Sequence, residues 1–488
     1  MLKSSLIQLL RSFSKKEMSR FVKYVDSPYF NVHQDIIRLI AYLESIYPHF
    51  NEKNCDRNLI FKKTKPKATF NLSKLKHLFS FTISLAEEFL IIERIQERKN
   101  LSQLLLLRQL SNKKLDNRFQ RQLKKFQKNR EKIEERDTNF FYHEYVLSNL
   151  INDHLYIQTN RYEDDYLGKI DQNLDIFYLS EKLKNACQIL SRNQTFQSTV
   201  KYPLINDLLQ YIEHNRSYFE DQPQVLLYFQ LHQILSGTEE DSAFKELISD
   251  LEKRAHEFSV AEQHSFFGFC TSYCIKQINL GKSDYLNRLF SLYKLMLNLG
   301  LLLEGGHISE WRYKNLVTVG TRLKEYEWTE NFIEDYKDQL QKKVRENAYT
   351  YNLASYYFAV NKMDEALQIL NSVKYTDLVY VLGSRTLLLK IYYETKEEEA
   401  MTYQIDAFLS FLKRNRSVSE PGKKRYTNLL KYLKKLGRIR ANIKLKREQG
   451  ILDDLDDILL AVQSQRSQVT NAPWVISKIE ELQAKLKK

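Results

Sequence analysis

Residues that break helices are almost absent from this chain. Its 488 residues include 12 Gly and 7 Pro, and the first glycine is Gly168. No proline occurs between Pro66 and Pro203 or between Pro223 and Pro421. Sheet proteins need turn residues roughly every 8 to 12 positions, so stretches this poor in breakers predict helices joined by short polar turns. The expected fold class is all-α. The chain is too long for one compact core, which leaves several domains or one extended array. Hydrophobic residues make up 43% and charged residues 28%, enough apolar surface to exclude global disorder. Tyrosine and phenylalanine are abundant, 31 and 27 against 3 Trp. Tyrosine suits half-buried sites between packed helices, where the ring is covered and the hydroxyl stays polar.

Residues 1–98 read as an N-terminal helical head. Ser14-Lys15-Lys16-Glu17 has the spacing of a capping box, opening a helix that carries Met18, Phe21, Val22 and Val25 on one side. Pro28 disfavours helix at Ser27 and ends it. Further helices are expected over about 34–47 and 72–98, with a polar loop and a short helix over 51–68. Residues 99–137 form a basic helical connector. Across 93–136 there are 14 Lys/Arg against 6 Asp/Glu, a net +8, with Leu115, Phe119, Leu123 and Phe126 as a periodic apolar minority. A surface helix pair with one buried stripe is favoured over a solvated arm. From 138 to 410 helices of about 14–18 residues alternate with short turns such as Ser236-Gly237-Thr238, Leu280-Gly281-Lys282 and Val360-Asn361-Lys362, the pattern of an α-solenoid. Residues 411–488 are basic C-terminal helices.

The clearest repeat starts at Asn352 and runs through Leu370. Leu353, Ala354, Tyr357 and Ala366 supply a large, a small, an aromatic and a second small position, with Leu370 and Val373 as later apolar positions. A second copy, Leu387, Ile391 and Ala400, follows 34 residues later, and a weaker one, Leu316, Gly320 and Thr329, precedes it by 37. Segments 224–256 and 262–299 share the helix-pair shape without these residues. The pattern over 310–410 resembles the tetratricopeptide (TPR) family, whose period is 34 residues. The chain's layout is also similar to uncharacterised bacterial helical-repeat proteins with an N-terminal FSxxE…SPYFN segment, here Phe13 to Asn31, which implies no known chemistry. The TPR resemblance implies a right-handed superhelix of helix–turn–helix repeats, whose first helices line a concave groove for a peptide or another helix. It makes Asn315, Tyr351, Asn352 and Arg385 the candidate groove residues. In peptide-binding members an asparagine five positions before the aromatic one can bond an extended backbone or a terminal carboxylate, and Asn352 and Asn315 hold that place. The competing reading has each asparagine bonded to a neighbouring helix end or to water.

Charge is segregated. Residues 202–262 hold 12 Asp/Glu against 4 Lys/Arg, a net −8, whereas 413–447 hold 14 Lys/Arg against Glu420 alone, a net +13. The whole chain carries +14. Tyr426, Leu429, Leu430, Leu433 and Leu436 recur at helical spacing within the basic run, so one face is buried and the other basic. Lys423, Lys424, Arg425, Lys434, Lys435, Arg438 and Arg440 are the candidate residues for an anionic partner. That face is read first as solvated or neutralised by the chain's own acids, then as a site for an acidic protein, for nucleic acid, or for an anionic membrane surface.

No motif for chemistry emerges. His143-Glu144 lacks a second histidine at metalloprotease spacing, and His154 lies eleven residues on. The pair Gly305-Gly306 reads as a helix end followed by a turn, not a phosphate loop. Cys55, Cys187, Cys270 and Cys274 form no CxxC pair and read as small buried hydrophobes. No catalytic, cofactor or metal site is expected. The N-terminus lacks a signal-peptide pattern, and no window approaches 18 uninterrupted apolar residues. The expectation is a cytoplasmic, non-enzymatic scaffold that binds a protein or peptide, with nucleic-acid binding through 413–447 as the alternative.

Overall fold

The computed structural model describes every residue except 134, 160–163, 197–199, 238–240, 373–376, 442–447 and 487–488. The described residues form 23 α-helices and one short β-hairpin, and they cluster into two compact units, Met1–Glu181 and Lys182–Lys488.

The first unit opens with α1 (Ser5–Ser12), α2 (Lys15–Asp26), α3 (Gln34–Ser45), α4 (Arg57–Thr64) and α5 (Leu72–Glu97). The capping box is formed: Ser14 N donates to Glu17 Oε2 (2.6 Å) and Glu17 N to Ser14 Oγ (3.2 Å). The helix stops before Ser27-Pro28. Asn31 then fixes the turn, with Nδ2 donating to Val25 O (3.0 Å) and Oδ1 accepting from His33 N (3.0 Å). Leu10, Phe13, Phe21, Leu39, Phe61 and Phe89 share one core. Helices α6 (Lys99–Asn112), α7 (Asp116–Arg130) and α8 (Thr138–Thr159) follow. Phe119, Leu123 and Phe126 are buried against Leu147, Leu150 and Ile151 of α8, so the basic connector has its apolar stripe. Leu115 does not belong to it: it is the residue before α7 and is exposed. Helix α9 (Asp164–Phe196) contains the boundary between the units.

The second unit runs through α10 (Ile205–His214), α11 (Pro223–Ser236), α12 (Asp241–Arg254), α13 (Val260–Asn279), α14 (Asp284–Asn298), α15 (Glu310–Arg322), α16 (Tyr326–Tyr336), α17 (Arg345–Ala359) and α18 (Met363–Ser372). It ends with α19 (Leu378–Thr395), α20 (Glu398–Arg414), α21 (Glu420–Ala441), α22 (Glu448–Ser464) and α23 (Ala472–Leu486). Packing is between sequence neighbours: α13 on α14, α15 on α16, α17 on α18, α19 on α20, and, one pair to the next, α15 on α17 and α17 on α19.

One turn geometry recurs at four of these pairs. Gly281, Lys324, Asn361 and Lys396 each have positive φ, 94°, 63°, 64° and 63°. The following N–H reaches back five residues: Lys282 to Gln277 O (3.0 Å), Glu325 to Gly320 O (3.0 Å), Lys362 to Tyr357 O (2.8 Å) and Glu397 to Tyr392 O (2.9 Å). This is the Schellman closure, which satisfies the orphan carbonyls of the first helix and sends the chain back along it.

Gly305-Gly306 departs from the reading as a helix end. Helix α14 stops at Asn298, and the two glycines join strands β1 (Leu303–Glu304) and β2 (His307–Ile308) as an antiparallel hairpin. Both have positive φ, 58° and 79°, which a two-residue type I′ turn requires.

Candidate binding surfaces

Five of the positions marked by the sequence pattern meet in space, while Leu353 and Ala400 lie outside their cluster. Ala354, Ala366, Leu370, Leu387 and Ile391 form one buried cluster, with Tyr357 partly covered at its edge. In the upstream copy Gly320 lies against Thr329, where a Cβ would collide with the Thr329 hydroxyl. Small side chains therefore stand where helices approach most closely, and large ones fill the space beside them. Val373 lies outside the described residues. Tyrosines stitch adjacent helices together through their polar ends. Tyr313 Oη donates to Ile333 O (2.7 Å), Tyr349 Oη to Glu334 (2.8 Å) and Tyr356 Oη to Glu330 (2.9 Å). Burial, reinforced by the neighbouring carboxylates, pushes Tyr349 and Tyr356 up to about 12.

The four candidate groove residues have different surroundings. Asn315 is exposed and shares a hydrogen bond with the Tyr293 side chain. Asn352 is 1% exposed, and its Nδ2 donates to Ala348 O of its own helix (2.7 Å). The two asparagines read as a pair are thus separated, one at the surface and one inside. Tyr351 is half-buried. Its ring packs where a Cβ on Gly383 would come to 2.8 Å, lies 5.5 Å from the Tyr380 ring, and carries the Lys314 ammonium 5.3 Å from its centre. Arg385 lies over Phe411 (4.9 Å) and Phe408 (5.9 Å). Burial lowers its pKa, but a guanidinium stays charged.

Arg385 has no ion-pair partner among the described residues. It lines a cleft of about 550 Å³ between α19 and α20 with Tyr403, Asp406, Phe411, Arg414 and Asn415. Tyr403 is 77% exposed. Met401, Ile405, Phe408 and Leu412 form the buried stripe of α20, and Tyr403 falls off that stripe. This is the signal in the sequence that marks it as a surface aromatic. Tyr403, Phe411 and Arg414 were not among the residues singled out from the sequence, because only tertiary packing brings them to Arg385.

The seven basic candidates also divide. Lys423 pairs with Glu420 (2.8 Å), Lys434 with Asp406 (3.9 Å), and Arg440 with Glu398 through Nε (2.9 Å) and Nη2 (2.5 Å). Arg440 also lies 4.3 Å from the Tyr393 ring centre. Lys424, Arg425, Lys435 and Arg438 are exposed and have no ion-pair partner among the described residues. The ion pairs that α21 makes among the described residues go to α20 and to its own first turn, not to 202–262. Residues 442–447 of the basic run lie outside the described residues.

His143 lines a cleft with Leu104, Arg108 and Tyr142, and Glu144 pairs with Arg130. All four cysteines are buried free thiols. Burial raises Cys187, Cys270 and Cys274, which suppresses the reactive thiolate. Among the described residues no group of three His, Cys, Asp or Glu could hold a metal ion, and no helix is long and apolar enough to cross a membrane. Comparison of the chain with protein-family models, curated proteins and solved structures finds no match.

Proposed function

We propose that the second unit is a TPR-like α-solenoid and that the chain is a non-enzymatic scaffold binding a protein or peptide. Support for the architecture comes from the packing of the signature residues and from the recurring Schellman turns, which treat α13–α14, α15–α16, α17–α18 and α19–α20 as copies of one unit. The single observation that carries the binding function is the α19–α20 cleft. A half-buried guanidinium 4.9 Å from the Phe411 ring centre, without an ion-pair partner among the described residues, beside a tyrosine 77% exposed, is the combination of arginine and aromatic anchors that protein interfaces concentrate. Desolvating a charge without a partner is costly, and a ligand carboxylate or backbone carbonyl would offset that cost.

Affinity capture from the cells that make the protein tests this reading. The wild-type chain should retain a protein partner that is lost from the Tyr403→Ala/Phe411→Ala variant. Retention of that partner by the variant would remove the cleft from the account. A tight small-molecule ligand with no protein partner would remove the scaffold function itself.

A further inference from the structure

Of the five exposed cations of α21 that lack an ion-pair partner among the described residues, four stand in one line and Arg425 lies off it. Lys424, Lys431, Lys435 and Arg438 are all exposed and stand at i, i+7, i+11 and i+14. At 3.6 residues per turn these positions share one face, and at 1.5 Å per residue they span about 21 Å. None has an ion-pair partner among the described residues, whereas Lys423 and Lys434 on one flank are neutralised by Glu420 and Asp406, and Arg440, on the side turned towards the core, by Glu398. The buried side of the helix, Leu429, Leu430, Leu433 and Leu436, is sealed in the C-terminal core, so the stripe is held rigidly.

The stripe also lacks what a protein partner would use. Its polar neighbours are Thr427 and Asn428, and no large hydrophobic residue of α21 is exposed. Lysine is depleted in protein interfaces, and hot spots there are aromatic or arginine. A straight row of three lysines and one arginine, with no apolar anchor beside them, matches a row of phosphates instead. Duplex DNA carries a negative charge about every 1.7 Å along its axis with both strands counted, so about a dozen phosphates lie within the length of the stripe, and four contacts use only some of them.

We propose that the outer face of α21 binds the phosphate backbone of nucleic acid through Lys424, Lys431, Lys435 and Arg438, without reading base sequence. This surface is separate from the α19–α20 cleft and does not depend on it.

Fluorescence anisotropy with the full chain tests the proposal. The probes are a labelled 20-bp DNA duplex, single-stranded dT20 and U20, a decapeptide of alternating Asp and Glu, and vesicles of phosphatidylserine and phosphatidylcholine. At least one nucleic acid should bind at 50 mM salt. For the duplex, log affinity should fall against log salt with a slope of about −3 to −4, as four phosphate contacts require. The combined Lys424→Gln, Lys431→Gln, Lys435→Gln, Arg438→Gln variant should lose more than about tenfold in affinity and most of that slope. Lys423→Gln/Lys434→Gln, which removes cations already paired, should change the slope by less than about one. All four stripe positions are at the surface, and an unchanged melting temperature checks that the variant folds. No nucleic-acid binding at 50 mM salt would overturn the proposal. So would equal binding by the four-site variant, or stripe-dependent binding of the vesicles or the acidic peptide in place of nucleic acid.

Discussion

Gly320 has no room for a methyl group, because a Cβ would run into Thr329 Oγ1. Gly320→Ala should therefore destabilise the second unit by about 1–3 kcal/mol, as overpacking of a tight helix contact does. Adding Thr329→Ala should recover most of the loss, and chemical denaturation of the four members of the double-mutant cycle measures it. Lys390 poses a different residue-scale problem. Its Nζ sits 5.3 Å from the Trp474 ring, and burial lowers its pKa to about 8, opposed by Glu394. Between about pH 8 and the ordinary lysine value the unfolded chain binds the extra proton, so this group's penalty is full below pH 8 and fades as pH rises. Lys390→Met should stabilise the chain at pH 7 by about 1–3 kcal/mol, an advantage that shrinks towards pH 10.5 in paired melting curves. Both small positions, Gly320 and Thr329, were legible from the repeat spacing. Lys390 was not, because its burial depends on Trp474, far along the chain in α23.

At the scale of elements, the Schellman turns carry lysine in a left-handed conformation at positions 324 and 396. An L side chain there costs roughly 1 kcal/mol relative to glycine. Lys324→Gly and Lys396→Gly should each raise stability by up to about 1 kcal/mol, read as a rise in melting temperature. If either lowers it, the turn geometry assigned to that repeat is wrong. Helix existence was legible almost throughout, since breaker scarcity left no other secondary structure for most of the chain, and the Ser14–Glu17 capping box named the start of α2. The hairpin at Gly305-Gly306 was missed for a local reason. Two glycines after an apolar run suit a helix C-terminus and a type I′ turn equally, and the choice depends on strands of only two residues. The basic helix was legible as amphipathic, but the division of its cations was not. Arg440 and Lys434 find their carboxylates on α20, 42 and 28 positions away, and only the packing of α20 on α21 decides which cations remain unpaired.

For the molecule as a whole, the two compact units place the repeat residues and the basic helix together within Lys182–Lys488. The net +14 of the chain is concentrated in 413–447, and in the described part of that run the ion pairs are local. Its unpaired cations are therefore available to a partner, and the cleft with Arg385 offers a second, aromatic kind of surface in the same unit. Entry of a protein or peptide into that cleft can be trapped by site-specific photocrosslinking. A benzophenone amino acid at position 403 should crosslink one protein partner in the cells that make the chain, and unlabelled wild-type protein should compete it away. If the wild-type chain holds a protein partner that never crosslinks from position 403, or if Arg385→Ala leaves the crosslink undiminished, entry into the cleft is contradicted.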